Sequence, residues 1–221
     1  MKSSQDSSKN SILYLLASLI LLVLLAWVFL LGISTFYSYK TKSYINKWID
    51  QDASPLSSEI EEALGTINTA ISIYNKNPEY FRLKALVIEQ DTKGKAVWDS
   101  GTKSQLQQAL QLYKKAIALR PSWPYSWAGM ARMKLKMLEI DNEFESALIN
   151  MAKLGPWESR INLTIIELGF ITWGQLSIPA QDLVEAAIKR GLISQKTSLH
   201  LLARRHNKES LVSTLEKQMN R

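Results

Sequence analysis

The chain has 221 residues, a net charge of +7, 46% hydrophobic residues and no cysteine. Without cysteine there are no disulfides, no thiol nucleophile and no thiolate metal site, and neither side of a membrane is favoured on redox grounds. Setting the first 40 residues aside leaves roughly 180, enough for one domain with its own core.

Residues 1–10 read as a polar N-terminal tail. From Ser11 to Ile33 there is no charged residue, and Leu, Ile and Val dominate. As a helix this run is about 34 Å long, sufficient for a hydrocarbon core of roughly 30 Å. Tyr14 lies near one end, and Phe36, Tyr37 and Tyr39 lie just past the other, as interfacial aromatics do. A cleaved signal peptide would have a shorter apolar core and a small-x-small site; the bulky Ser34-Thr-Phe-Tyr37 favours an uncleaved anchor. Lys2 and Lys9 on one side balance Lys40, Lys42 and Lys47 on the other, so charge does not orient the span. The short N-terminal side is expected in the cytoplasm and the large C-terminal part outside it.

Residues 34–54 read as a juxtamembrane amphipathic segment. Lys40 to Gln51 continues the anchor with Tyr44, Ile45, Trp48 and Ile49 as its apolar set, and Asp52-Ala-Ser-Pro55 breaks it. A helix follows to about Lys76, capped by Ser57 or Ser58, with Ile60, Leu64, Ile67, Ile71 and Tyr74 on one face. Asn77-Pro78 turns the chain into a second helix, Tyr80 to about Gln90. Asp91 to Ser104, with two glycines and many polar residues, predicts a loop from which Trp98 tucks back onto the helices. Ser104 is the expected cap of the next helix.

That next helix carries the most informative spacing. Ala109 and Ala116 are seven apart and share a face with Tyr113. The small residues admit a second helix, the tyrosine fills the gap beside them, and Pro121 ends the helix. Trp127 supplies a large apolar body to the next one. The set Ala109, Tyr113, Ala116, Pro121 and Trp127 resembles the tetratricopeptide repeat, whose stacked hairpins act as docking surfaces.

A helix from Tyr125 to about Ile140 comes next. Asp141-Asn142 turns it into Glu143–Lys153, where Phe144 and Ala147 echo the aromatic and small positions. Leu154-Gly155-Pro156-Trp157 stops one helix and starts another, running to about Leu176. Pro179–Arg190 with Gly191 as its stop, Ser194–His206 and Lys208–Met219 complete the chain. The expectation is all-α: a single N-terminal transmembrane helix followed by a tetratricopeptide-like helical-repeat (α-solenoid) domain over 55–176. Basic C-terminal helices over 177–221 pack on that domain, giving a right-handed stack of short helices behind the anchor.

Several stretches together are similar to the VpsP-like family of membrane-anchored proteins linked to bacterial exopolysaccharide biosynthesis. They are the run 109–124, Trp127-Ala128, Glu139, Asp141, Glu143-Phe144, Ala147-Leu148, Leu154-Gly-Pro-Trp-Glu158 and Gly169-Phe-Ile-Thr-Trp173. The resemblance covers roughly 55–176. It implies an inner-membrane accessory to polysaccharide assembly or export with no chemistry of its own and with protein partners in that machinery; in such a membrane the outward C-terminal part expected from the short N-terminal side would be periplasmic. An envelope chaperone or assembly factor is the alternative.

The repeat resemblance also implies a concave groove lined by the first helix of each hairpin, with Tyr125, Arg132 and Lys136 as a basic stripe for an acidic peptide terminus or anionic sugar. A plain solvated face is the competing reading. Lys189 to Arg221 holds eight basic and two acidic residues, most of the net charge. This tail either contacts anionic lipid or polymer or is simply solvated. The five tryptophans from Trp98 to Trp173 are expected mostly in the core, with a sugar-stacking groove as the alternative. His200 and His206 face different ways, no phosphate loop or nucleophile motif is present, and no cofactor, metal or nucleic acid is expected. Glu139, Asp141, Glu143 and Glu145 sit at a helix–helix turn, where a carboxylate pair facing across a cleft is not available.

Overall fold

A computed structural model describes residues 2–51 and 54–220, with side-chain surroundings from Leu13 onward. Among the described residues there are ten α-helices and one short 3-10 turn, and no strand. The order is α1 (Lys2–Asp50), α2 (Ser57–Ile73), α3 (Pro78–Asp91), α4 (Ser100–Leu119) and α5 (Pro124–Lys136). It continues with α6 (Asn142–Leu154), α7 (Ser159–Thr172), α8 (Ile178–Ser194), α9 (Lys196–Arg205) and α10 (Glu209–Met219). Nine helices thus follow α1, one for each span read from the sequence after the anchor. The break at Asp52-Ala53 lies outside the described residues.

The helices form two layers. α1, α3, α5, α7 and α9 pack in succession as an inner layer, and α2, α4, α6, α8 and α10 lie behind them as the second members of antiparallel hairpins. Helix starts follow side-chain chemistry. Asn77 accepts from the Glu79 amide (3.0 Å), Asp99 from Thr102 (2.8 Å), Asp141 from Phe144 (3.1 Å) and Glu158 from Ile161 (2.9 Å). Pro78 and Pro124 occupy first-turn positions, where their missing N–H costs nothing.

α1 is one continuous helix of 49 residues, about 73 Å long. Every residue from Leu13 to Leu30 is exposed, and the helix is long and apolar enough to cross a membrane. Past Ile33 its character changes. Ser34, Ser38, Thr41, Ile45 and Trp48 are buried against α2 and α3, so residues 34–50 form the first inner helix of the stack. Three contacts fix the register. The Ser34 hydroxyl donates to the Ala70 carbonyl and lies 3.0 Å from the Tyr80 hydroxyl. The Thr41 and Thr66 hydroxyls are 2.8 Å apart, and the Trp48 indole N–H donates to Glu59 at 3.0 Å. These hydroxyls satisfy their own hydrogen bonds while letting the backbones approach closely.

Two apolar cores share α3. One joins Ile45 and Trp48 to Ile60, Ile67, Tyr80, Leu83 and Val87. The other runs without interruption from Ala85 to Leu215 and includes Val184, Leu199 and Val212, so α8–α10 belong to the same core as α4–α7. The repeat signature packs as its spacing implies. Ala109, Tyr113 and Ala116 are fully buried. The Tyr113 ring lies directly on Gly129 of α5, where an added Cβ would stand 2.1 Å from the ring. The Trp127 indole donates to the Pro121 carbonyl at 2.8 Å, closing the α4–α5 turn.

Five expectations need correction. Ser57 and Ser58 do not cap α2 but lie inside it; Leu56 is the cap residue, and its amide donates to the Glu59 carboxylate at 3.3 Å. α4 starts at Ser100 with Asp99 as its cap, because the Asp99 carboxylate reaches the Thr102 amide; Ser104 lies a full turn inside. The intervening loop shrinks to 92–99. Trp98 does not tuck back but is 90% exposed. Gly191 does not stop α8, which runs to Ser194; its missing side chain instead admits Ile166 and Leu199.

Candidate functional site

The inner layer curves around a cavity of about 510 Å³. Its walls come from four helices: Lys42, Ile45, Asn46 and Ile49 of α1, Arg82 and Glu89 of α3, Tyr125 and Arg132 of α5, and Arg160 and Thr164 of α7, with Trp123 at the α5 start. The concavity continues past Ile49, Arg160 and Thr164 into a shallower groove bounded by Leu163, Leu201, Leu202 and Arg205. The end of α1 is therefore a wall of the site as well as a support for it.

The predicted stripe is brought together, but its cations are not equivalent. Tyr125 and Arg132 line the main cavity; Lys136 lines a smaller adjoining pocket with Arg132, Leu135 and Glu167. Arg132 makes a two-pronged pair with Glu89, Nε to Oε1 at 2.7 Å and Nη2 to Oε2 at 3.0 Å. The Tyr113 hydroxyl donates to the same carboxylate at 2.8 Å. Lys136 donates to the Glu89 backbone carbonyl at 3.4 Å. Burial works to raise the Glu89 carboxyl, but the Arg132 guanidinium, Lys136 and the Tyr113 hydroxyl outweigh it and hold the group below the ordinary carboxylate range. Burial together with the Glu89 charge pushes the Tyr113 phenol well up. Burial pushes Lys136 down, against the pull of Glu89. Glu89 is buried and the Arg132 side chain about a third exposed, so the two are an ion pair set into the wall of the groove, not a free anion hook.

The free cations are ones the stripe did not include. Lys42 and Arg160 are exposed, face the cavity, and have no ion-pair or side-chain hydrogen-bond partner among the described residues. Arg82, by contrast, is forked onto Glu79 at 2.5 and 2.8 Å. The same cavity is lined by apolar Ile45 and Ile49 and by an aromatic group: Trp123 has the Arg120 guanidinium 4.1 Å from its ring and the Tyr125 ring 5.4 Å away. Burial and a hydrogen bond to Glu158 push the Tyr125 phenol up to about 12. This surface offers charge-assisted hydrogen bonds to carboxylates or other anions beside apolar contact.

The acidic cluster has a different use. Lys134, only 2% exposed, places its ammonium 2.8 Å from Asp141, 3.0 Å from Glu143 and 3.4 Å from Glu139. Burial lowers the lysine, but the hydrogen bonds and charges of Asp141 and Glu143 dominate and raise it. Lys114 binds Glu143 from the other side at 2.7 Å. Glu145 accepts from the Ser177 amide and hydroxyl, both at 2.7 Å, tying α6 to the start of α8. These carboxylates hold the α5–α6 turn. Among the described residues, no group of three His, Asp or Glu is close enough to hold a metal ion.

The basic C-terminal helices are partly neutralised. Lys196 pairs with Glu216 at 2.6 Å, and Arg205 stands 3.7 Å from Glu167 on the groove rim. Arg190 donates to Asn162 at 3.2 Å. The tryptophans do not form one core set. Trp127 and Trp173 pack partly buried on the core, Trp123 lines the cavity, and Trp98 and Trp157 project outward. The fully buried one is Trp48, on α1.

Sequence reasoning missed Glu89, Lys42 and Arg160. A signal existed for Lys42. Lys42, Ile45, Asn46 and Ile49 stand at spacings of three, one and three, one stripe of a helix, and hairpin alternation puts α1 in the same layer as α5.

No protein-family model and no curated protein matches the chain.

Proposed function

We propose that this protein is a membrane-anchored, non-catalytic scaffold whose inner groove docks an acidic segment of a partner in exopolysaccharide assembly or export. The observation that carries the docking part is the cavity between α1 and α7, with two unpaired cations beside an apolar and aromatic lining. The resemblance over roughly 55–176 supports the polysaccharide part, and with it an inner-membrane location; the short polar N-terminal side supports a periplasmic domain. A helix rising 1.5 Å per residue places Lys42 and Ile49 about 13 and 24 Å beyond the end of the apolar run. The docked segment therefore belongs to a partner that approaches the bilayer this closely, as the juxtamembrane part of another membrane protein does.

The test is polysaccharide yield in a strain lacking the protein, complemented with wild type or with Lys42→Glu/Arg160→Glu. Neither residue supports a core contact, so the variant is expected to fold. Loss of polymer, restored by wild type and not by the variant, is the expected result. Restoration by both would remove the groove from the account. Normal polymer in the deletion would remove the polysaccharide assignment. Capture of unfolded secreted proteins by the same groove would then favour an envelope chaperone, a reading to which exposed Ile49 and Leu201 lend apolar surface.

A further inference from the structure

The register between α1 and α2 fixes where the domain sits relative to the apolar run, and it leaves no gap. The two helices are antiparallel, bonded at Ser34–Ala70, Thr41–Thr66 and Trp48–Glu59. Four residues beyond Ala70 on α2 are thus level with about four residues before Ser34 on α1. Tyr74, and the turn Asn75-Lys76-Asn77 after it, stand beside the last turn of the apolar run, about 6 Å below Ser34. Exposure agrees: Leu13 to Leu30 are bare, whereas Leu31 and Ile33 are partly covered.

The neighbouring turn lies on the same edge. Tyr80 at the start of α3 is level with Ser34 through their hydroxyls. Next to it, the Phe81 ring lies 4.2 Å below the Lys115 ammonium of α4. α4 runs antiparallel to α3, so its end, with exposed Leu119 and Arg120, points back toward the same side. On the other faces of α1, Phe36 and Tyr39 are exposed just past the apolar run. Aromatic residues and basic side chains at that depth are what the headgroup layer favours.

We infer that the edge formed by the α2–α3 and α4–α5 turns rests in the lipid headgroup layer, with Tyr74 among the headgroups and Lys76 and Arg120 against their phosphates. The occupant is the bilayer that α1 crosses, because no residue separates the end of the apolar run from the first bonded contact at Ser34. The anchor is then a rigid post and not a tether, and the groove mouth is held at a fixed height and angle above the membrane. This inference rests on the reading of α1 as a membrane span, and not on the polysaccharide assignment.

The chain has no cysteine, so a single introduced one labels a unique site. Full-length Val23→Cys, Lys76→Cys and Trp98→Cys, each carrying an environment-sensitive fluorophore, would be placed in phosphatidylethanolamine/phosphatidylglycerol nanodiscs. Quenching would be compared between lipids spin-labelled in the headgroup and deep in the acyl chain. The expected result is loss of fluorescence at position 23 with the deep quencher, loss at 76 with the headgroup quencher, and no loss at 98 with either. A label at 76 as unquenched as the one at 98, with 23 quenched, would overturn the seated edge while leaving the span intact. An unquenched label at 23 would overturn the span, and the edge with it. Circular dichroism on each labelled protein checks that the fold is retained.

Discussion

The first hairpin interface, α1–α2, and the signature interface between successive hairpins, α4–α5, do the same job by different means. In α4–α5 a tyrosine ring lies on a glycine and ends in an ion pair: Tyr113 on Gly129, bonded to Glu89, itself forked by Arg132. In α1–α2 small hydroxyl residues meet across the interface, Ser34 with Ala70 and Thr41 with Thr66. The first interface is volume and charge placed in one pocket, while the second is close backbone approach with every hydroxyl partnered. Damage should therefore be concentrated in one case and distributed in the other.

The largest effect is expected at Glu89. Glu89→Ala leaves Arg132 and the Tyr113 hydroxyl without their partner and should cost about 3–5 kcal/mol of unfolding free energy, read from urea titration of the detergent-solubilised protein. A loss below about 1 kcal/mol would mean the pair is replaceable by water and the contrast between the two interfaces is smaller than the geometry implies.

The same group sets an acid limit. The folded pKa of Glu89 is depressed, so its contribution is present above the unfolded value of about 4.3 and is lost as pH falls through the folded value. Wild type should lose stability below about pH 4 more steeply than Glu89→Gln, in thermal melts across that range.

Next comes Gly129→Ala. The new methyl would overlap the Tyr113 ring, and overpacking of this kind costs about 3 kcal/mol. Gly65→Ala on α2, where nothing lies within 4 Å of the added carbon, should be neutral or slightly stabilising, since alanine favours the helix. Gly65 faces open space, so it controls for the change of residue itself; equal costs at the two glycines would mean that the Tyr113 contact adds nothing at Gly129.

Smaller still is Thr41→Val, which removes one hydroxyl from the α1–α2 seam for about 1 kcal/mol. Its signature is local: faster amide exchange in α2 with little change in α5–α8. The smallest effect is a gain. Leu138 is 82% exposed and sits at φ +60°, a left-handed position at the end of α5. Leu138→Gly should raise stability by about 0.5 kcal/mol, read from the melting temperature.

The contrast also explains what the sequence disclosed. Ala109, Tyr113, Ala116, Pro121 and Trp127 were legible because helical period, small-residue spacing and a proline stop all point one way. The role of residues 34–50 was not, because hydroxyls that bury themselves against another helix look polar in a chain where the apolar run before them dominates. Arg132 lines the cavity, but its neutralisation by Glu89 was hidden. Glu89 lies 43 residues away in a helix whose other acids are unremarkable, and pairing across that distance has no local pattern. Lys42 and Arg160, the cations left free, were missed for the converse reason: availability is a property of what does not pack against a side chain. The acidic cluster at 139–143 shows the same limit, because its purpose is Lys134, buried behind it.

The central claim is that the groove walled by the anchor helix docks an acidic segment of a membrane partner. The most direct test is photo-crosslinking in native membranes from a benzophenone amino acid placed at Asn46 or Thr164 in the groove, with Trp98 as the outward-facing control. The account predicts crosslinks from 46 and 164 to a membrane protein, through an acid-bearing stretch near its span, lost in Lys42→Glu/Arg160→Glu and absent from 98. Crosslinks that survive the double charge reversal, or that form equally from 98, would contradict it.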